Sequence, residues 1–173
     1  MMIRTVLLAF AAVAFLSAAP VSAEEAEPID LSWADLLPEG EMANIQRLQQ
    51  MQAAMGGVDH FGAETMPQIM TFNAVEALDG QRVRLPGYVL PFDFTASGDV
   101  SRFLLVPYVG ACIHVPPPPP NQLVYVESET PVSVDGLWDP VFVEGVIRIE
   151  RQDSDLASAA YTLELIEVTP YRS

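Results

Sequence analysis

Five consecutive prolines, Pro116 to Pro120, constrain this chain more than any other feature. Proline has no backbone N–H, so such a run fits neither the inside of a sheet nor the middle of a helix. It follows an extended polyproline II path at about 3.1 Å per residue, or about 15 Å in all. Val115, ahead of the first proline, is pushed toward extended geometry as well. The run therefore reads as a stiff strap across a surface, separating two regular parts of the fold. Its upstream neighbours are Gly110, the single cysteine Cys112 and His114, in the order GACIHVPPPPPNQ. In an extended chain Cys112 and His114 project to the same side, with Cβ atoms about 7 Å apart. Downstream, Asn121 and Gln122 carry amides that both donate and accept hydrogen bonds, while the prolines offer only carbonyls. Asn121 is expected to turn the chain into a following strand with its side chain bonded to nearby backbone. Gln122 is expected to face the strap or the site rather than the core.

On either side of the strap the pattern is that of short strands. In QRVRLPGYVL, Val83, Leu85, Gly87 and Val89 share one face, and Pro86-Gly87 suggests an edge strand or a bulge. RFLLVPY, residues 102–108, is apolar on both faces and should be buried on both. Leu123 to Glu127, Val141 to Glu150 and Tyr161 to Val168 alternate, each after turn residues. Val141, Val143, Gly145, Ile147 and Ile149 make one inward row. Five such strands with little helix between them predict a mainly β fold, a small OB-like β-barrel, with a small β-sandwich as the alternative.

Ahead of the strands, residues 24–70 form an acidic lead-in and one amphipathic helix. Trp33, Leu36 and Leu37 are its docking side chains. Over Glu41 to Met55, apolar Met42, Ile45, Leu48, Met51 and Met55 recur three or four apart, and Gly56-Gly57 ends the helix. Residues 71–173 make up the barrel domain. Residues 1–23 read as a secretory signal peptide: Arg4, an apolar run from Val6 to Ala19, and small residues at Val21-Ser22-Ala23. The run is shorter than the roughly 20 residues of a spanning helix, and no cysteine stands at the cut to take a lipid. The expected location is the periplasm, with no membrane insertion after cleavage.

The formal net charge of −15, from 23 acids against eight arginines and no lysine, repels nucleic acid and anionic lipid headgroups. It favours cations or basic protein surfaces, and above all solubility. One cysteine excludes an internal disulfide, leaving a lone thiol in an oxidising compartment.

Three readings of Cys112 and His114 stand side by side. Thiolate and imidazole suit zinc or copper; an imidazole that lowers the thiol pKa makes a nucleophile or redox centre; and a buried cysteine with a satisfied core histidine needs no chemistry. Metal is preferred to catalysis, because the sequence shows no orienting residue or oxyanion loop. It also contains no CxxC, H-E-x-x-H, G-x-S-x-G or phosphate loop, and the chain is expected not to be an enzyme. Further ligands would come from His60, beside Asp59, or from Asp93 in LPFDF. The pairs Met51/Met55 and Met66/Met70 suit Cu(I), although helical spacing points to core packing for most of these methionines. A separate possibility is an interaction module whose proline strap docks in an aromatic groove.

GYVLPFDF, FLLVPYVGACIHVPPPPPNQLVYV and VFVEGVIRIE together resemble a bacterial family of unknown function with a G-x-C-I-H-x-P-P-P-P-x-N-Q signature. The resemblance spans residues 75–171 and rests on Gly110, Cys112, His114, Pro116, Pro117, Pro118, Pro119, Pro120, Asn121 and Gln122. It implies an exported protein, some of whose relatives sit beside ABC-type permease systems linked to periplasmic zinc. On that resemblance the chain is an accessory protein in zinc handling at the cell envelope, with a permease or another periplasmic protein as partner. Unlike lipoprotein members it lacks a lipidation cysteine.

Overall fold

The computed structural model describes residues 27–54, 67–111, 117–134, 136 and 138–171. The predicted signal peptide lies outside them. Alternating apolar residues produce five strands that close on themselves. These are β2 (Arg82–Pro91), β3 (Val100–Val106), β4 (Val124–Val132), β5 (Val141–Arg148) and β8 (Tyr161–Pro170). Their order is β2-β3-β4-β8-β5, and β5 pairs back to β2. Only the β4–β8 contact within this ring is parallel. The result is the expected small OB-like barrel, and the β2–β5 closure sets the two-sheet sandwich aside. A two-residue strand β1 (Ile29–Asp30) lies parallel to β2 at Val83 and Arg84. A small hairpin, β6 (Gln152–Asp153) with β7 (Ser158–Ala159), stands between β5 and β8. The one α-helix, α1, spans Glu41–Ala54.

The inward rows fill the barrel. Val83, Leu85 and Val89 of β2 meet Phe103, Leu105, Val126, Val143, Ile147 and Leu163, all at most 3 % exposed. Each such side chain contributes about 1.5–3 kcal/mol relative to exposure. Leu31 and Leu36 of the lead-in belong to the same cluster, so the segment before the helix is part of the barrel's core. Outside the barrel wall, Leu104 and Val106 of β3 pack with Ala111, Leu123, Ala157 and Ala159. This second layer is why RFLLV is apolar on both faces. It also covers part of the outer surface of β3 with the chain's own strap flank and β6–β7 hairpin.

Three expectations are corrected. Pro86-Gly87 marks neither an edge nor a bulge: β2 pairs with β5 from Arg82 to Gly87 and with β3 from Tyr88 to Pro91. The pair sits where the strand changes neighbours, and there the missing proline N–H costs little. The inward row of β5 stops at Ile147. Ile149 lies past the strand end and is exposed, while its backbone N–H bonds to Asp79 Oδ1 at 3.0 Å. Within β5 the register with β8 shifts between Glu144 and Gly145. A Cβ on Gly145 would stand 2.2 Å from the Glu164 carbonyl oxygen, so only glycine fits the approach of the two strands.

The third correction concerns α1. Its buried residues are Glu41 and Ile45, with Leu48 half-buried, whereas Met42 and Met51 are 51 % and 55 % exposed. The inward stripe is buried Glu41 and Ile45 with half-buried Leu48 and Gln52, spaced i, i+4, i+7, i+11, and exposed Met42 and Met51 flank it. The helix turns its carboxylate inward because Thr71 and Asn73 ahead of β2 and Asn121 at the end of the strap offer that carboxylate hydrogen-bond donors.

Candidate functional site

The flanks of the Cys112–Pro116 stretch are both held. Upstream, Gly110 has φ +82°, a left-handed conformation that favours glycine. Ala111 behind it is 1 % exposed, within the outer apolar cluster, and its N–H reaches the Tyr108 carbonyl at 3.4 Å. Downstream, Pro118 and Pro120 are buried, and Pro119 has φ −55°, ψ 152°, close to the extended polyproline geometry.

The strap has carbonyls and no donors of its own, and the surrounding chain supplies the donors. Gln68 Nε2 donates to the Pro118 carbonyl at 2.7 Å and to the Ser158 carbonyl at 2.9 Å, while its Oε1 accepts from Ser158 N–H. The N–H of Ala160 donates to the Pro120 carbonyl at 2.8 Å. Pro120–Gln122 form a single 3-10 turn, in which Gln122 N–H reaches the Pro119 carbonyl at 2.8 Å. The chain then enters β4 through Leu123. Gln122 Nε2 donates to the Trp33 carbonyl at 2.8 Å, and Trp33 Nε1 in turn donates to the Pro86 carbonyl at 2.8 Å. The strap is thus tied to the lead-in, to residues 67–70 and to the β7–β8 corner.

Asn121 goes further than a turn residue. It is 0 % exposed, and its Nδ2 donates to the Asn73 carbonyl at 3.0 Å and to Glu41 Oε1 at 3.2 Å. Glu41, 5 % exposed at the start of α1, also accepts from the Thr71 hydroxyl, from Asn73 Nδ2 at 2.9 Å and, at longer range, from Asn44 Nδ2. Burial alone would raise this carboxyl, but the hydrogen bonds from Thr71, Asn73, Asn121 and Asn44 outweigh it and hold Glu41 below its ordinary value. Its partners are all neutral. Arg47, one turn along α1, donates to Asn44 Oδ1 instead. A buried carboxylate with several donors is a strong fastener, because truncating either side leaves desolvated polar groups without partners. The side-chain amide oxygen of Asn121, Oδ1, has no partner among the described residues, while its backbone carbonyl accepts from Gln122 Nε2 at 3.0 Å.

Nearby, Tyr161 serves the same junction from the barrel side. Its hydroxyl donates to the Leu36 carbonyl at 2.8 Å and accepts from Val75 N–H at 2.8 Å. Burial raises its pKa, against the opposing bond from Val75.

Of the expected ligands, Cys112, His114 and His60 lie outside the described residues, as does Pro116 of the strap. Asp93 is described. It is exposed, and its carboxylate pairs with Arg102 at 2.8 Å. It lies beyond Pro91, at the opposite end of the β2–β3 pairing from the point where β3 runs out toward Tyr108 and Ala111. Among the described residues no three His, Cys, Asp or Glu side chains are grouped as a metal would need. The residues that sequence reasoning missed are Glu41, Gln68, Thr71 and Asn73. One signal was present: Glu41 shares the i, i+4, i+7 stripe of Ile45 and Leu48, a place where an acid needs a reason.

Residues 33–170 match the model of a family described as protein of unknown function, DUF3299. The chain belongs to the DUF3299 family. A crystal structure of another DUF3299 family protein, from Pseudomonas aeruginosa PAO1, is 38 % identical in sequence. That alignment covers 86 % of this chain and 99 % of that one, with a TM-score of 0.65. No protein of curated function matches the chain.

Proposed function

We propose that this DUF3299 chain is a non-catalytic binding or accessory protein of the cell envelope, working through the segment from Gly110 to Gln122. The observation that carries this reading is the fastening of both flanks. Ala111 is buried in the outer apolar layer, and Pro118 to Gln122 are bonded to Gln68, Ala160, Trp33, Glu41 and Asn73. A stretch held at both ends loses less conformational freedom on binding than a free loop would. The barrel supplies the frame, and the sequence between the anchors supplies a thiol, an imidazole and prolines.

In the preferred form of the proposal the bound species is zinc or another transition metal, with Cys112 and His114 as ligands. Zinc usually takes four ligands, three at least from protein in sites of known type. Glu41 is committed to its donors, and Asp93 would have to leave Arg102. Completion of the set falls to His60 or to a partner such as an ABC-type permease or another periplasmic protein.

Competitive zinc titration of the untagged protein tests the proposal. It predicts at least a tenfold loss of affinity in Cys112→Ser and in His114→Ala, with thermal unfolding unchanged. Equal affinity in all three proteins would overturn the metal reading.

A further inference from the structure

We propose that the groove where β4 and β8 part is a docking site for an extended basic peptide segment of a partner protein, added as a strand along β8. The two strands pair in parallel only from Val124–Tyr161 to Glu127–Glu164. Past that point β8 continues to Pro170 beside β5, while β4 continues to Val132 beside β3. The β3–β4 register slips between Arg102–Glu127 and Val100–Val132, so that residues 128–131 of β4 stand opposite Ser101 alone, three more than a regular ladder holds. A groove of about 780 Å³ opens there. Among the described residues no strand pairs with the β4-facing side of β8 beyond Glu164. An unpaired strand side is a row of backbone donors and acceptors that a further strand can complete.

Charge selects the occupant. Glu127, Glu129 and Glu164 line the groove and are exposed, whereas Arg148 is the one cation in its lining. None of these four takes part in an ion pair among the described residues. Ile166, 40 % exposed, adds an apolar surface. Side chains of an added strand alternate in direction, so lysine or arginine at every second position would face the carboxylates. The net charge of −15 attracts such a segment from a distance. The same charge disfavours a second copy of this chain and excludes nucleic acid as the occupant. This site does not involve residues 110–122, so its test is independent of the zinc titration.

Fluorescence anisotropy of a labelled decapeptide alternating lysine and valine, titrated with the full mature protein, tests the proposal. The double variant E129Q/E164Q should bind at least fivefold more weakly, and so should the same peptide methylated on alternate backbone nitrogens. Unchanged affinity in either case would overturn the proposal. So would an equal loss in E76Q/D155N, exposed acids outside the groove, since attraction would then be only to the overall charge. Sedimentation of the free protein as a dimer blocked by the peptide would point to a second copy as the occupant and would equally overturn it.

Discussion

The barrel and the junction beside it are built on different principles. Inside the barrel, alternate side chains such as Val83, Leu85, Phe103 and Leu163 are removed from water, and nearly every contact is apolar. At the junction, Glu41, Gln68, Asn121, Gln122 and Tyr161 bond to one another or to distant backbone. Burial of apolar area is non-directional and tolerates small shifts. A polar junction is directional: each group has a designated partner, and losing one leaves another buried and unmet. The barrel therefore gives the chain its shape, and the junction fixes one segment of it in one geometry.

The largest expected effect lies in the barrel. Gly145→Val places atoms where the Glu164 carbonyl and Leu163 already stand, and should cost about 4 kcal/mol in urea unfolding. Loss of less than about 1 kcal/mol would show that β5 and β8 separate easily. Next comes Asn121→Asp, which sets a second carboxylate against Glu41 and removes the donor to the Asn73 carbonyl. About 3 kcal/mol is expected, recovering in part on acidification as one carboxyl takes up a proton. Tyr161→Phe leaves Val75 N–H and the Leu36 carbonyl unmet and should cost about 2 kcal/mol. Gln68→Ala, which frees the strap at Pro118 and removes the side-chain partner of both Ser158 backbone groups, should cost about 1 kcal/mol and leave the barrel's near-ultraviolet circular dichroism unchanged.

Acid separates the two regions further. Glu41 is held below its ordinary value of 4.5, so the folded state favours its ionised form. Its contribution is fully present above that value and is lost as pH falls through the lower value of the folded protein. Urea unfolding followed from pH 6 to pH 3 should show a decline that is smaller in Glu41→Gln. Identical slopes in the two proteins would mean that the carboxylate does not hold the junction.

The contrast also explains what the sequence disclosed. Period-two rows of valine and leucine marked the five strands, and a doubly apolar β3 announced the outer layer over Leu104 and Val106. These signals are local, because a strand side chain reports its face through its neighbours two residues away. Glu41 and Asn121 stand 80 residues apart, and no local pattern links them. Met42 and Met51 were assigned to the buried face by hydropathy, yet they lost that position to Glu41, whose burial depends on distant donors on Thr71, Asn73 and Asn121, and to half-buried Gln52, which donates to the Pro67 carbonyl. Asn121 was expected to bond nearby backbone. It turns the chain into β4 as expected, but its backbone partner is the carbonyl of Asn73, 48 residues away.

Amide hydrogen exchange at Gln122, Leu123 and Ala160 tests the central claim most directly, because their N–H groups bond to the strap carbonyls of Pro119 and Pro120. A strap locked to the barrel predicts protection within about tenfold of the β4 and β8 amides, and faster exchange at all three in Asn121→Asp. Exchange of these three amides at the rate of an open loop in the wild-type protein, with β4 and β8 still protected, would contradict it.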